Sequence, residues 1–314
     1  MSREVQEAMR IVSQQRFGGP EVLEAVQAPV PIPGRGEVLL RLGATAVNPV
    51  DCKLRAGRVR FLGNPPFTLG FDISGTIAET GAGVTGMYPG DHGFGMIHSR
   101  TGTYGEFVIA RADALAPRPP GVDHVVAAAL PTAALTARQA VDAADPKPGE
   151  TVLVHAAAGG VGHFAVQFAE QRGAHVIGTA RASNHRFLRE LGAVEVIDYT
   201  TTDFTAAIGP VDVVLDLVGG AYGQRSLRVL PDNGRYLTVQ ESDAEGDPRY
   251  RRITGRPSPA LLTEIGTAVA EGRLRVHVDR ALPLDEVRES HRLSETGRVR
   301  GKLVLTPWRD RQVP

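Results

Sequence analysis

The chain has 314 residues, 35 Lys and Arg against 35 Asp and Glu, and 42% hydrophobic residues, a length that at roughly 100–200 residues per domain predicts two domains with real cores. Zero net charge without a basic stripe gives no electrostatic case for nucleic acid or an anionic membrane, and no apolar run approaches the ~20 residues of a membrane span. The single cysteine closes no disulfide and builds no Cys-rich zinc cage, which together with an acidic, non-apolar start (Glu4, Glu7) points to the cytoplasm rather than secretion.

From residue 9 to about 125 the chain reads as short apolar runs divided by Gly and Pro. Val38–Leu42, Ser74–Ala78 and Gly105–Ala110 are expected strands, separated by turn sequences such as Tyr88-Pro89-Gly90-Asp91. This is a β-rich, barrel-like domain. Ala127–Ala143 is expected to be one helix, closed by Pro146-Lys147-Pro148-Gly149. Then β-branched runs alternate with helical stretches: strands at Thr151–Val154, His175–Ile177, Val194–Ile197, Val211–Leu215 and Tyr236–Val239, helices at Val161–Arg172 and Asn184–Leu191. Such alternation predicts a parallel sheet with helices on both faces, so the fold class is α/β. Beyond residue 259 we expect helix Ala260–Ala270, strand Leu274–Val278, helix Leu284–Ser294 and strand Lys302–Leu305.

Ala156-Ala157-Ala158-Gly159-Gly160-Val161-Gly162 leaves a strand and opens a helix. Gly159 lets the backbone approach a pyrophosphate, Gly162 lets the helix pack closely on its strand, and the helix N-terminus offers N–H groups to phosphates. An acidic residue about 20 positions on would mark NAD, but the residue 18 positions beyond Gly162 is Ala180. Arg181, Ser183, His185 and Arg186 stand there instead, a set that welcomes a 2′-phosphate, so NADPH is the expected cofactor. The alternative, that both arginines are ordinary surface charges at a helix start, stays open.

With those residues go Phe17-Gly18-Gly19-Pro20-Glu21-Val22-Leu23, Ala46-Val47-Asn48-Pro49-Val50-Asp51, Gly70-Phe71-Asp72-Ile73-Ser74-Gly75, Leu130–Ala137, Asp216-Leu217-Val218-Gly219-Gly220 and Gly301-Lys302-Leu303-Val304-Leu305. In this order, from about Met9 to Pro307, they resemble the zinc-independent medium-chain dehydrogenases/reductases of the NADPH:quinone oxidoreductase type, with residues 1–8 as an extension. The resemblance implies a GroES-like catalytic domain at 1–125 and 256–314 and a Rossmann NADPH-binding domain at 126–255, with the active site in the cleft. It assigns Asn48, Pro49 and Lys53 to the nicotinamide end, Thr136 to a cofactor contact, Gly159, Gly160, Val161 and Gly162 to the pyrophosphate. The segment Arg181 to His185, Ser183 included, and Tyr199 fall to the 2′-phosphate, and Val218 and Gln240 to the cofactor groove. It implies no metal: where zinc-dependent relatives carry a ligand Cys and a ligand His, Asn48 and Phe71 stand here, and Cys52 is at neither position.

Without a Lewis acid, acceptors needing little polarisation are expected, a quinone or an α,β-unsaturated carbonyl. Asn48 and Asp51 are the candidate catalytic residues, although both also suit a helix start. Lys53 and Tyr104 are weaker donors, Tyr104 reading as a cleft wall, and His155 reads as a packed strand residue. Two other readings stay open: a specialised biosynthetic enoyl reductase, suggested by the polar stretch Glu241–Arg252, and a non-enzymatic NADPH-binding protein. The resemblance also implies a homodimer, with Arg251–Thr254 as the pairing strand.

Overall fold

The structure is a computed structural model that describes residues 8–309, so all of the extension but Ala8 lies outside the described residues. The chain divides into two compact units, residues up to Thr132 with those from Pro257 on, and Ala133–Arg256.

In the first unit the long strand Glu37–Val47 is the organiser. It pairs antiparallel with Asp72–Thr80, with Phe107–Arg111 and, at its far end, with the C-terminal strand Lys302–Thr306. Val278–Pro283 extends the sheet parallel to that last strand. The register sets Leu303 opposite Val47, so Lys302 is delivered beside Asn48, more than 250 positions earlier in the chain. A three-stranded sheet built on Ala8–Gln14 completes the unit.

The second unit is the parallel sheet that strand–helix alternation predicts. Its order is Ala193–Ile197, His175–Thr179, Thr151–Val154, Val213–Asp216, Arg235–Thr238, Tyr250–Arg252, all pairs parallel. Thr151–Val154 is central and the chain order reverses on its two sides, which is the switch point where α/β sheets bind nucleotides. Leu153, Val214, Ile177, Ile197, Phe204 and Tyr236 are buried together beneath the helices. Burial on both faces explains why the inner strands read as unbroken apolar runs.

Three expectations are corrected. Ala127–Ala143 is two helices, His124–Ala128 capped by the Asp123 carboxylate on Val126 N, and Pro131–Ala144, which starts at a proline suited to a first helical position. The first of them packs Ala128 and Ala129 against Ala44, Ala46 and Val304, so the unit boundary falls after Thr132 rather than at 125. The strand expected at Leu274–Val278 runs instead over Val278–Pro283. Leu274 is apolar because it folds back on the preceding helix, its N–H donating to Ala268 O past Gly272 in the left-handed region.

Candidate active site

The glycine-rich turn follows Thr151–Val154. Ala156 takes φ +50° to turn the chain out of the strand, and the helix Gly162–Glu170 begins six residues on. A Cβ at Gly162 would lie 2.3 Å from Ala156 O and 2.6 Å from Ala157 O, so only glycine lets the helix approach its strand. Among the described residues the N–H groups of Gly160 and Val161 have no protein acceptor. Half-buried Gly159, Gly160 and Val161 therefore leave an open cradle of backbone donors at a helix N-terminus, which fits a pyrophosphate.

At the ends of the next two strands, Arg181 Nε donates to Tyr199 Oη at 3.0 Å, and His185 Nε2 lies 3.3 Å from Ala180 O. Ser183 is exposed beside them. Arg186 does not join this group: its guanidinium turns to Glu190 at 2.8 Å, one helical turn on, and is 92% exposed. Sequence reasoning missed Asp198, whose carboxylate accepts Ala182 N at 3.0 Å and is held below the usual carboxylate range by Thr200. The signal was an acid directly after a strand, a natural loop cap.

Val218 and Gln240 close the fourth and fifth strands, Val218 with 43% of its surface exposed. Asp216, fully buried, holds the Val218 turn by accepting from Val218 N and Gly219 N at 2.8 and 2.9 Å and from the Tyr236 hydroxyl. Thr136 is buried, and the missing side chain of Gly255 makes room for it. The polar stretch after residue 240 is tied down within its own unit, by Gln224 N on Asp243 and by Arg249 on Leu230 O. His155 is a packed strand residue, its ring nitrogens against Thr179 and Ser226 and its face against Phe204 and Tyr222; burial pushes it down to about 4.

Asn48, Pro49, Lys53 and Asp51 belong to the first unit. Asn48 is the N-cap of helix Pro49–Arg55, and its N–H donates to Asp51 Oδ2 at 2.8 Å. Its side chain is clamped elsewhere: Nδ2 donates to Asp72 Oδ2 at 2.9 Å, and Oδ1 accepts from Lys302 Nζ. Asp72 also accepts from Thr132 N at 2.7 Å and Thr132 Oγ1 at 2.6 Å, with Lys302 Nζ at 3.5 Å. Asn48, Asp51, Asp72 and Lys302 are all buried. Asp51 additionally accepts Gly70 N at 3.0 Å; burial first, and the neighbouring Asp72 charge after it, push its carboxyl up to about 7. Pro49 is exposed and Lys53 half-buried on the same helix.

Asp72, Thr132 and Lys302 went unassigned in the sequence, although each stands in a quoted motif. A charged residue at the edge of an apolar run was the available signal. Tyr104 is a correction: it is fully buried, its hydroxyl 3.2 Å from His291 Nε2, and so lines no cleft. A Cβ at Gly70 would fall 2.7 Å from its ring, so that glycine creates the space. Among the described residues no three His, Cys, Asp or Glu converge as a metal site.

The chain belongs to the medium-chain dehydrogenase/reductase family, whose members bind a nicotinamide cofactor, and it is an oxidoreductase. The alcohol dehydrogenase GroES-like domain matches residues 34–120, and the zinc-binding dehydrogenase model matches 191–305. The chain is 34% identical to a chloroplast envelope quinone oxidoreductase homolog of Arabidopsis thaliana, over 92% of this chain and 95% of that one. It is 29% identical to a 2-methylene-furan-3-one reductase of Solanum lycopersicum, over 95% and 79%. A solved structure, the quinone oxidoreductase from Coxiella burnetii, superposes with TM-score 0.91 at 37% identity, covering 95% of this chain and 99% of that one.

Proposed function

We propose that this protein is an NADPH-dependent reductase of quinones or α,β-unsaturated carbonyl compounds that works without a bound metal. The observation that carries the reading is the clamped amide of Asn48 between Asp72 and Lys302. At the two positions where zinc-dependent relatives place a Cys and a His, this chain has that amide and the Phe71 ring. An amide and a phenyl ring make a poor donor set, and the Lys302 ammonium already supplies the positive charge beside Asp72. The relatives named for quinones and for a methylene-furanone support the acceptor class.

When bound, the reduced nicotinamide supplies a hydride. The chain supplies binding and orientation. Gly159, Gly160, Val161 and Gly162 cradle the pyrophosphate with backbone donors. Arg181, braced by Tyr199, with Ser183 and His185 presents the donors that select a 2′-phosphate over a free hydroxyl. Thr136, Val218 and Gln240 line the rest of the nucleotide's path, and Asn48, Pro49 and Lys53 border the nicotinamide. Asn48 orients the acceptor with its amide, while Asp51 holds the helix start through Asn48 N and Gly70 N and does not transfer a proton. Solvent supplies the final proton.

The exposed edge strand Tyr250–Arg252, paired on one side only, supports a homodimer joined there. Among the described residues no helix is long and apolar enough to cross a membrane. The one cysteine is buried and closes no disulfide, which supports a cytoplasmic setting. The test is NADPH oxidation by the purified protein with a panel of quinones and enones, NADH in parallel. Turnover with NADPH and not NADH is expected. Equal use of NADH refutes the role of Arg181, and tight NADPH binding without turnover on any acceptor refutes the reductase in favour of a binding protein.

A further inference from the structure

Three rings from separate stretches of the first unit meet next to Asp72. Phe61 and Phe71 have centroids 5.9 Å apart, Phe61 and His98 6.4 Å, and Phe71 and His98 5.3 Å in an edge-to-face arrangement of 82°. Phe71 is buried, whereas Phe61 is 58% exposed and His98 is exposed as well. The two supporting segments are fastened. Ile97 N donates to Phe71 O at 2.6 Å, and the Arg100 guanidinium donates to Leu62 O, Asn64 O and Pro66 O, the last two at 2.8 Å. The segments that carry the open rings are therefore fastened through their main chain.

Exposed apolar side chains are common singly, but a fixed aromatic patch is not, and an imidazole at its edge adds a polar handle. Among the described residues His98 has ring contacts and no hydrogen bond. Partial burial lowers its pKa, with the Asp72 charge opposing, so at neutral pH its ring carries one N–H donor and one acceptor. Phe71 and Asp72 are consecutive, so the patch borders the clamp that holds Asn48. Aromatic faces favour flat, conjugated partners, in offset or edge-to-face contact.

We propose that Phe61 and His98, backed by the buried Phe71, form the ring-binding surface of the substrate site, which makes planar cyclic quinones the preferred acceptors over open-chain enones, with His98 donating a hydrogen bond to the acceptor's carbonyl oxygen. The proposal rests on the reductase reading for its substrate class and narrows it. The hydrogen bond orients the acceptor and is not a proton transfer. Phe71 fills the floor, and Phe61 and His98 make the contacts that a chain-like substrate lacks.

The experiment uses the protein loaded with NADP+, with 1,4-naphthoquinone as the binding probe in calorimetric titration. NADPH turnover of 1,4-naphthoquinone and of 3-buten-2-one is measured alongside. Phe61→Ala is expected to raise the naphthoquinone Kd about fivefold or more and to cut the naphthoquinone-to-butenone ratio of kcat/KM by a similar factor. His98→Phe keeps a ring but loses the donor, and is expected to lower kcat/KM for naphthoquinone about tenfold, with partial rescue in His98→Gln. Unchanged Kd and unchanged ratio in Phe61→Ala overturn the proposal. Wild-type protein that reduces butenone but neither binds nor reduces naphthoquinone overturns it too and leaves the reductase reading standing. Naphthoquinone binding that Phe61→Ala weakens, without NADPH oxidation on any acceptor, upholds the ring surface and sinks the reductase. Absence of both binding and turnover overturns both.

Discussion

Lys302→Met tests the clamp at the centre of the site. Lys302 is 3% exposed and Asp72 fully enclosed, so the variant removes a buried cation and leaves a buried carboxylate uncompensated. Breaking one side of a buried pair costs ~3–5 kcal/mol. Asp72 keeps three donors, Thr132 N, Thr132 Oγ1 and Asn48 Nδ2, which places the loss near the lower end, about 3 kcal/mol. Methionine fills most of the lysine stem's volume, so little of that figure is cavity. For a unit of this size, it corresponds to a fall in Tm of about 6–12 °C. Removing both charges should cost much less. In Asp72→Asn with Lys302→Met, nothing holds Asn48 Oδ1, so its amide is free to flip and accept from the amide introduced at position 72. Asp72→Asn alone leaves a buried ammonium unpaired and opposes two amide donors. Urea unfolding followed by near-ultraviolet circular dichroism gives the full cycle, and the double variant is expected within about 1 kcal/mol of wild type. A Lys302→Met loss below about 1 kcal/mol, or additive single effects, would refute the reasoning. NADPH binding should survive Lys302→Met, because Arg181 and the glycine-rich turn lie in the other unit, while turnover falls.

Arg181→Ala should raise KM for NADPH about 10- to 100-fold, the worth of one or two charge-assisted hydrogen bonds, and leave the NADH value nearly unchanged in steady-state kinetics. Gly162→Ala places a Cβ against two backbone carbonyls that cannot yield separately, so nucleotide binding measured by calorimetry should be lost together with stability. Acid should destabilise the second unit: His155 titrates at about 4 in the fold against ~6.5 unfolded, so stability present above the unfolded value is lost as pH falls below it, about 2 kcal/mol by pH 5. Thermal unfolding of wild type against His155→Gln from pH 7.5 to 5 checks this, and an equal pH slope in both counts against it. Cys52, buried and pushed up to about 12 by its surroundings, should resist a thiol-disulfide reagent in the native protein and react fully in urea.

What the sequence disclosed follows from how local each signal is. Thr151–Val154 and Val213–Asp216 are buried on both faces, so their apolar runs had no competing explanation, and the glycine turn between strand and helix is a contiguous motif. Ala127–Ala143 misled because alanine suits a helix whether or not Pro131 restarts it. Leu274 misled because a residue that closes a helix end looks like the start of a strand. Arg181 and Tyr199 are joined over 18 positions, a distance a family pattern spans. Lys302 and Asn48 meet through the register of one antiparallel pair, across 254 positions, and no period in the sequence marks that. Phe61, Phe71 and His98 converge for the same reason, through segments stapled by Arg100.

Asp51 shows why a residue's type did not reveal its role. Two carboxyls, Asp51 and Asp72, are enclosed beside the ammonium of Lys302. Asp72 lies against that ammonium and takes three further donors, whereas Asp51 has two backbone N–H groups and the repulsion of its neighbour. Burying the surplus negative charge is what raises Asp51 to about 7, so near neutrality the cluster relieves its imbalance by taking up a proton. The sign follows. Because the folded value lies above the unfolded one, this group favours the fold increasingly as pH drops from about 7 toward ~4, opposite to His155 in the other unit. A carboxyl titrating near 7 resembles a general acid, yet both of its oxygens are committed to Asn48 N and Gly70 N, and no solvent reaches it. Its proton offsets the charge enclosed beside the clamp.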